Sequence, residues 1–367
     1  MKTPYVNLKL QWKKERSRLL PIIEKILSEG TYVIGKEVDN FEKNIAKFCG
    51  TKYAVAFNSG TDALTLGLML LGVKKGDEVI TPPNSFISST SSIIHIGAVP
   101  IFADVLDDQN IDPKEIEKKI TKKTKAIMPV HLTGRICDMK QIIKISKTYK
   151  IPIIEDAAQS IGSKYFNKKA GSFGDIGCFS THPLKNLNAC GDGGFFVTNN
   201  YTIYKKAKIL RNHGLEDRNV VKNYGYISRM DVIQSSILNF RLKTLKDVIY
   251  KRRKNANFYL KNINKDFYKI INEKKYEYNT YHTFVIQTPK RNKLINYLKK
   301  NGIGSAIHYP IPIHLQPASK FLNYKKGNFP ITENQSKKIL TIPIHQNLTK
   351  KEIKNIVFYL NKFAQNN

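Results

Sequence analysis

Short apolar runs rich in β-branched residues alternate with helical stretches through the first two-thirds of the chain, and few architectures accept that alternation. Residues 53–57, 78–81, 99–105, 125–131, 151–155, 176–180 and 195–198 have the length and composition of strands. Helical stretches such as 61–71, 113–120 and 139–149 lie between them, each bounded by Gly, Pro or Asp. Strands in this pattern form a parallel sheet, because a parallel neighbour is reached only through a crossover. The predicted fold class is therefore α/β, a mostly parallel seven-stranded sheet between helices. From about Met230 the apolar residues recur at helical spacing over MDVIQSSILNFRLKTLKDVIYKRRKNANFYLKNI, which predicts a long helical connector. Residues 283–287, a helix over 291–300 and residues 305–309 then predict a smaller C-terminal α/β domain. The expected division is a large domain over 1–240, followed by the connector and small domain over 241–367.

Composition narrows the function. Of 367 residues, 41% are apolar and 25% charged, which excludes disordered and collagen-like chains. The longest near-apolar stretch, 64–73, is about half the roughly 20 residues a membrane helix needs, so no membrane partner is expected. The N-terminus has no apolar signal core, and Cys49, Cys137, Cys178 and Cys190 form neither a CxxC pair nor a zinc-ligand cluster. A cytoplasmic protein without a metal is expected. The net charge of +32 is spread over KKERSR, KKITKKTK, YKKAK and KRRKNAN rather than gathered in one stripe. It reads as a solvated lysine-rich surface with no nucleic-acid partner, able at most to steer a diphosphate-bearing substrate.

Ligands in open α/β sheets gather beyond the carboxyl ends of the strands, and three such ends carry polar residues here. After the first strand, Asn58-Ser59-Gly60-Thr61-Asp62 opens a helix whose free amides suit a phosphate, although Ser59 could serve only as a helix cap. The strand over 151–155 runs into Glu155 and Asp156, with Gln159 three residues beyond. Asp156 is suited to a cationic ring nitrogen or, again, to a cap. The third end delivers Ser180, then His182, Lys185 and Asn186, and closes on Gly191-Asp192-Gly193-Gly194. Asp156 lies 29 positions before Lys185, and Ser180 five before it. Pyridoxal phosphate (PLP) chemistry needs that set: a phosphate anchor, an acid that keeps a pyridine nitrogen protonated, and a lysine that forms the Schiff base.

The motifs NSGTDAL, GDEVITPPNSF, GAVPIFADV, VHLTG, IIEDAAQSIGS, AGSFGDIGCFS, HPLKNLNACGDGG, RNHG, SRMD and AIHYPIPIHLQP occur in that order. Over nearly its whole length the chain resembles the DegT or StrS family of sugar-nucleotide aminotransferases, PLP enzymes of fold type I. The resemblance implies that Lys185 carries PLP, Asp156 pairs with the pyridine nitrogen and Gln159 contacts the ring hydroxyl. It places the cofactor phosphate against Gly60, Thr61 and Ser180, with Phe86 stacked on the ring. Relatives are homodimers with shared active sites, and they usually carry Asn two residues before the Arg of the segment that reaches the neighbouring site. This chain has Ile227 there, which leaves Ser228 or Arg229 to take over the contact. His182, His308, Tyr309 and His314 are the candidate substrate contacts.

The same resemblance implies a two-stage transamination, with L-glutamate as donor and a nucleotide-linked keto-6-deoxysugar as acceptor, the nucleotide expected to be dTDP. The lysine loop and SRMD resemble relatives that aminate carbon 3 rather than carbon 4, and aminated deoxysugars point to surface glycans. Sugar dehydratases of this fold resemble the family but carry His in place of the lysine, and Lys185 argues against them. A non-catalytic regulatory protein with this fold is the reading from a different class.

Overall fold

The computed structural model describes residues 2–367. Helices α1 (Leu8–Glu29) and α2 (Lys36–Cys49) come first, and α2 buries Val38, Phe41, Ile45 and Cys49, a stripe at helical spacing. Strand β1 (Tyr53–Phe57) leads into α3 (Gly60–Leu70), β2 (Glu78–Thr81) into α4 (Ile87–His95), and β3 (Val99–Phe102) into α5 (Pro113–Lys118). There follow β4 (Thr124–Ile127), α6 (Met139–Tyr149) and β5 (Ile154–Asp156). A small hairpin of β6 (Lys164–Tyr165) and β7 (Lys168–Lys169) comes next, then β8 (Ile176–Ser180), β9 (Gly194–Thr198) and α7 (Tyr201–Leu210).

Hydrogen-bonded ladders give the orders β1-β9-β8-β5 and β3-β2-β4. Parallel bridges Ile127–Ile153 and Val130–Asp156 join the two sets, so one seven-stranded sheet runs β1-β9-β8-β5-β4-β2-β3. Only β9 is antiparallel to its neighbours, so the expected mostly parallel sheet is present. Three strands are shorter than the sequence suggested. Pro152 has no N–H to give to a ladder, so β5 begins at Ile154 rather than 151. β4 ends at Ile127 and continues only through the Val130 bridge, and β3 ends at Phe102. One face of the sheet packs on α2 and α6 around Phe41, Ile45, Ile142 and Phe195, and the other packs on α3 and α7 around Leu66, Ile154 and Phe196.

The helical connector is two helices, α8 (Val232–Leu242) and α9 (Leu245–Asn262). The backbone N–H and hydroxyl of Thr244 both donate to the Arg241 carbonyl, at 3.1 and 3.2 Å, closing a tight turn that ends α8. Leu245 and Ile249 of α9 belong to the core under the sheet, whereas Ala256 and Tyr259 belong to a separate C-terminal core. That second core is built by β11 (Phe284–Gln287) with α10 (Arg291–Lys300), and by β12 (Ile339–Ile342) with α12 (Lys350–Gln365). The short β10 (Glu277–Tyr278) pairs back onto β6, and α11 (Pro330–Lys338) precedes β12. β11 and β12 are antiparallel, and residues 305–309 contribute a single bridge, Ala306–Thr341, rather than a strand. Thr3 bridges Ile303, which draws the N-terminal segment across from the C-terminal part.

Candidate active site

The ends of β1, β5 and β8 open onto one cavity of about 280 Å³, lined by Gly60, Thr61, Phe86, Asp156, Gln159, Ser180, His182, Lys185, His308 and Tyr309 among others. Crossover geometry brings these residues together from across some 250 positions of chain, as the strand-end rule requires.

The start of α3 offers free backbone donors that could cradle an anion. Ser59 caps it, accepting from the Asp62 N–H at 3.1 Å. Among the described residues the amides of Gly60 and Thr61 have no protein acceptor, so they are the free donors of the first turn. Gly60 lies so close to β8 that a Cβ there would sit 2.8 Å from Ser180 Cβ. The helix start and Ser180 thus face one small space, and the Thr61 hydroxyl donates to Ser88 Oγ at 2.9 Å beside it.

Asp156 is 5% exposed at the end of β5. One carboxylate oxygen accepts from the Ala158 N–H at 3.1 Å and the other from the Ser89 hydroxyl at 2.7 Å, which fixes its plane. Gln159 presents its carbonyl oxygen to the Thr133 N–H at 2.8 Å. Because that partner is a donor, the amide orientation is set, and the Nε2 hydrogens are left for the cavity, with Tyr309 Oη at 3.4 Å. Thr133 holds a left-handed φ of 63° to make this contact.

The lysine loop is anchored from three sides. Thr181 N donates to Gly193 O at 2.8 Å and Ala189 N to Thr181 O at 2.7 Å, which closes the loop on itself. Arg241 Nη1 donates to the carbonyls of Asn188 and Ala189, and Gln11 of α1 exchanges hydrogen bonds with the Asn188 amide. Asn186 donates to Thr280 O at 3.1 Å. Lys185 is half-buried and lines the cavity. Burial lowers its pKa from 10.5 to about 8, partly opposed by the charge of Asp156. Its amine is thus far easier to deprotonate at neutral pH than an ordinary lysine.

Three further residues belong to the cavity without a motif to announce them: Tyr5, Arg252 and His282. His345 joins them. Burial and nearby cations push His308 and His345 down to about 4 and His282 well below its usual range, so these rings are neutral at pH 7. Phe86 keeps 54% of its surface exposed, its ring centroid 5.7 Å from that of Tyr309.

Two candidates stand outside. His314 does not line the cavity. It is 2% exposed, sits against Phe329 and hydrogen-bonds Glu333 at 3.1 Å, so the structure gives it a packing position instead of a substrate contact. Arg229 lines an adjoining cleft with Asn58, Ser59 and Asp192 and donates to Asn212 Oδ1 at 3.0 Å. Beside it, Ser228 is buried and donates to Asn58 Oδ1, while Ile227 is 63% exposed.

An anion cradle, a fixed carboxylate, an oriented amide donor, a half-exposed aromatic and a lysine of lowered pKa suit a flat, phosphorylated pyridine aldehyde. The family model of the DegT/DnrJ/EryC1/StrS aminotransferases matches residues 13–361. The chain belongs to that family. Pyridoxal phosphate is its cofactor, and the residues of the cavity fit it. A dTDP-3-amino-3,6-dideoxy-α-D-galactopyranose transaminase of Aneurinibacillus thermoaerophilus is 36% identical over 98% of this chain and 99% of its own. A pleiotropic regulatory protein of Geobacillus stearothermophilus is 34% identical over 99% of both chains. Among solved structures, DesV of S. venezuelae in complex with a ketimine intermediate superposes with a TM-score of 0.96 at 32% identity, covering 99% of this chain and 98% of that one. The aminotransferase has no helix long and apolar enough to cross a membrane among its described residues, and no cluster there could hold a metal ion.

Proposed function

We propose that this aminotransferase moves an amino group from L-glutamate to carbon 3 of a dTDP-linked keto-6-deoxysugar, for surface glycan synthesis in the cytoplasm. The observation that carries the reading is Lys185 with its pKa drawn down to about 8 in the cavity that also holds Asp156 and Gln159. Names of relatives support the choice of carbon: the transaminase of Aneurinibacillus thermoaerophilus acts on a dTDP-3-amino sugar. Four cysteines without a disulfide fit a reducing compartment.

When bound, PLP would supply the electron sink that amino-group transfer requires. Asp156 would pair with the protonated ring nitrogen of PLP. Its two accepted hydrogen bonds prevent rotation away. Gln159 would direct its N–H donors at the ring hydroxyl. The amides of Gly60 and Thr61, with Ser180, would hold the phosphate. Lys185 would be the attachment point for PLP, and its free amine would act as the base that carries a proton off the substrate carbon and back. The lowered pKa suits both tasks, since each needs the free amine near neutral pH.

The homodimer remains part of the proposal. Val220, Val221, Tyr224, Tyr226 and Ile227 are exposed on one loop that leads into Arg229, the cleft beside Ser59. Such an apolar loop suits a partner surface. Arg229, one arm of that cleft, is the candidate to replace the contact that Ile227 lacks.

A regulatory reading draws on the name of the Geobacillus stearothermophilus relative. Incubation with L-glutamate and a panel of dTDP-linked 3-keto and 4-keto sugars separates the cases: amination at carbon 3 is expected. Turnover of 4-keto sugars alone contradicts the choice of carbon, and no turnover with salt-sensitive DNA binding supports regulation.

A further inference from the structure

Four arginines are buried among the described residues, and three of them pair with a carboxylate: Arg135 with Glu277, Arg211 with Glu42 and Arg241 with Glu15. The fourth, Arg252 of α9, is 4% exposed and has no carboxylate partner among the described residues. Its Nε donates to Gln346 Oε1 at 3.2 Å, and its Nη1 to the carbonyls of Tyr281 and His282 at 3.1 Å each. Its Nη2 has no acceptor among the described residues, and Arg252 lines the cavity together with Lys185, Tyr5 and His308. A buried guanidinium held only by neutral dipoles is costly unless an anion completes it.

No neighbour supplies that anion. Tyr5, brought in by the N-terminal segment, has its phenol pushed up to about 12 by burial, so it is neutral at pH 7. His282, His308 and His345 are neutral for the reasons given above. Asp156 is engaged by Ser89 and the Ala158 amide. The counter-charge must therefore come with a ligand.

We propose that Arg252 is the receptor for a carboxylate of the amino donor, within the cavity that holds Lys185. This rests on the aminotransferase reading and adds to it the means by which the donor is selected. The donor's amine must arrive at the position of Lys185, and an α-amino acid carries its carboxylate on the same carbon. The cofactor phosphate is accounted for by the start of α3 and Ser180, which belong to the sheet side of the cavity. A nucleotide diphosphate is bulky and hydrated, whereas Arg252 is 4% exposed. With Nε and Nη1 fixed by the protein, the Nη2 hydrogens are left to donate to a carboxylate oxygen.

The test uses the cofactor-loaded enzyme and unreactive probes. Binding of glutarate, of the uncharged glutaramide and of dTDP is measured by isothermal calorimetry in the wild type, Arg252→Lys and Arg252→Gln, with folding checked by circular dichroism. The wild type is expected to bind glutarate at least 30-fold more tightly than glutaramide. Both variants should lose roughly 10- to 100-fold in glutarate affinity, the range of a hydrogen bond to a charged group, with dTDP affinity unchanged. The glutarate preference in the wild type can be read even if a variant fails to fold. Equal binding of the two probes by the wild type overturns the proposal. So does a variant that loses dTDP and keeps glutarate, which would assign Arg252 to the diphosphate. Bleaching of the cofactor band by L-glutamate is recorded in parallel. If glutamate bleaches the band while Arg252 proves indifferent, this inference falls and the aminotransferase reading stands. If no amino acid bleaches it, that reading falls first and takes this one with it.

Discussion

Gly60→Ala is the substitution whose effect the structure specifies most closely. The added Cβ would lie 2.8 Å from Ser180 Cβ, 3.0 Å from Ser180 Cα and 3.3 Å from Phe179 O. Carbon atoms in ordinary contact stay about 3.5–4.0 Å apart, so one side must move by about 0.7 Å. Ser180 is held by its ladder to Gly194, so the start of α3 gives way instead. Overpacking costs about 1–3 kcal/mol, and alanine returns about 0.5–1 kcal/mol of it through lower chain entropy, leaving the apoenzyme at most about 2.5 kcal/mol less stable. The larger effect is on the cofactor. A displacement of that size stretches an amide-to-phosphate bond of about 2.9 Å past the limit of a hydrogen bond. Losing one such charge-assisted bond costs about 1.5–3 kcal/mol, which weakens PLP binding roughly 10- to 150-fold. Equilibrium titration of apoenzyme with PLP, followed by absorbance, measures it. Gly67→Ala is the control: its Cβ would meet Ile154 Cδ1 at 2.8 Å, within the same helix but away from its start, and should cost stability alone. A Gly60→Ala enzyme that loses stability yet binds PLP within threefold of wild type would refute the assignment of this helix start to the phosphate.

Asp156→Asn should keep PLP but lower kcat by at least about 100-fold, measured in single turnovers with glutamate, since a neutral amide does not hold the ring proton. The rate of PLP attachment to apoenzyme should rise with pH through about 8, not above 10, because only about a tenth of Lys185 is free amine at pH 7. The same shift makes the unfolded chain bind more protons than the folded one between about pH 8 and 10.5. Apoenzyme stability should therefore gain over that window relative to Lys185→Ala, as denaturant midpoints would report. His314→Gln should lower the melting temperature, through its lost contact with Glu333 and Phe329, while leaving KM for the sugar unchanged.

Strand ends were the most legible part of the chain, because a strand that stops at a polar residue in an α/β sheet has few places to put it. That rule located Gly60, Asp156, Ser180 and Lys185, and the structure brings them to one cavity. Thr61 and Gln159 followed from the same ends. What the pattern hid were contacts made across the whole length of the chain. Tyr5 lies against His308, 303 positions away, through a bridge between Thr3 and Ile303 that no local periodicity encodes. Arg252 sat within KRRKNAN, between exposed Lys251 and Lys254 and next to Arg253, which pairs with Glu273, so only its tertiary position separates it from an ordinary basic run. His314 read as a site residue because it shares a segment with His308 and Tyr309, but the turn after Pro312 carries it away from them and onto Phe329. The break at Thr244 was equally invisible, since neither Gly nor Pro marks it. There a side-chain hydroxyl competes for a helix carbonyl, a local choice that hydrophobic spacing does not record.

The visible absorption spectrum of the purified protein, taken beside Lys185→Ala before and after L-glutamate is added, tests the central claim most directly. The account predicts a cofactor band that requires Lys185 and bleaches with glutamate. A protein that shows no such band even when PLP is supplied, or a band that survives Lys185→Ala unchanged, would contradict it.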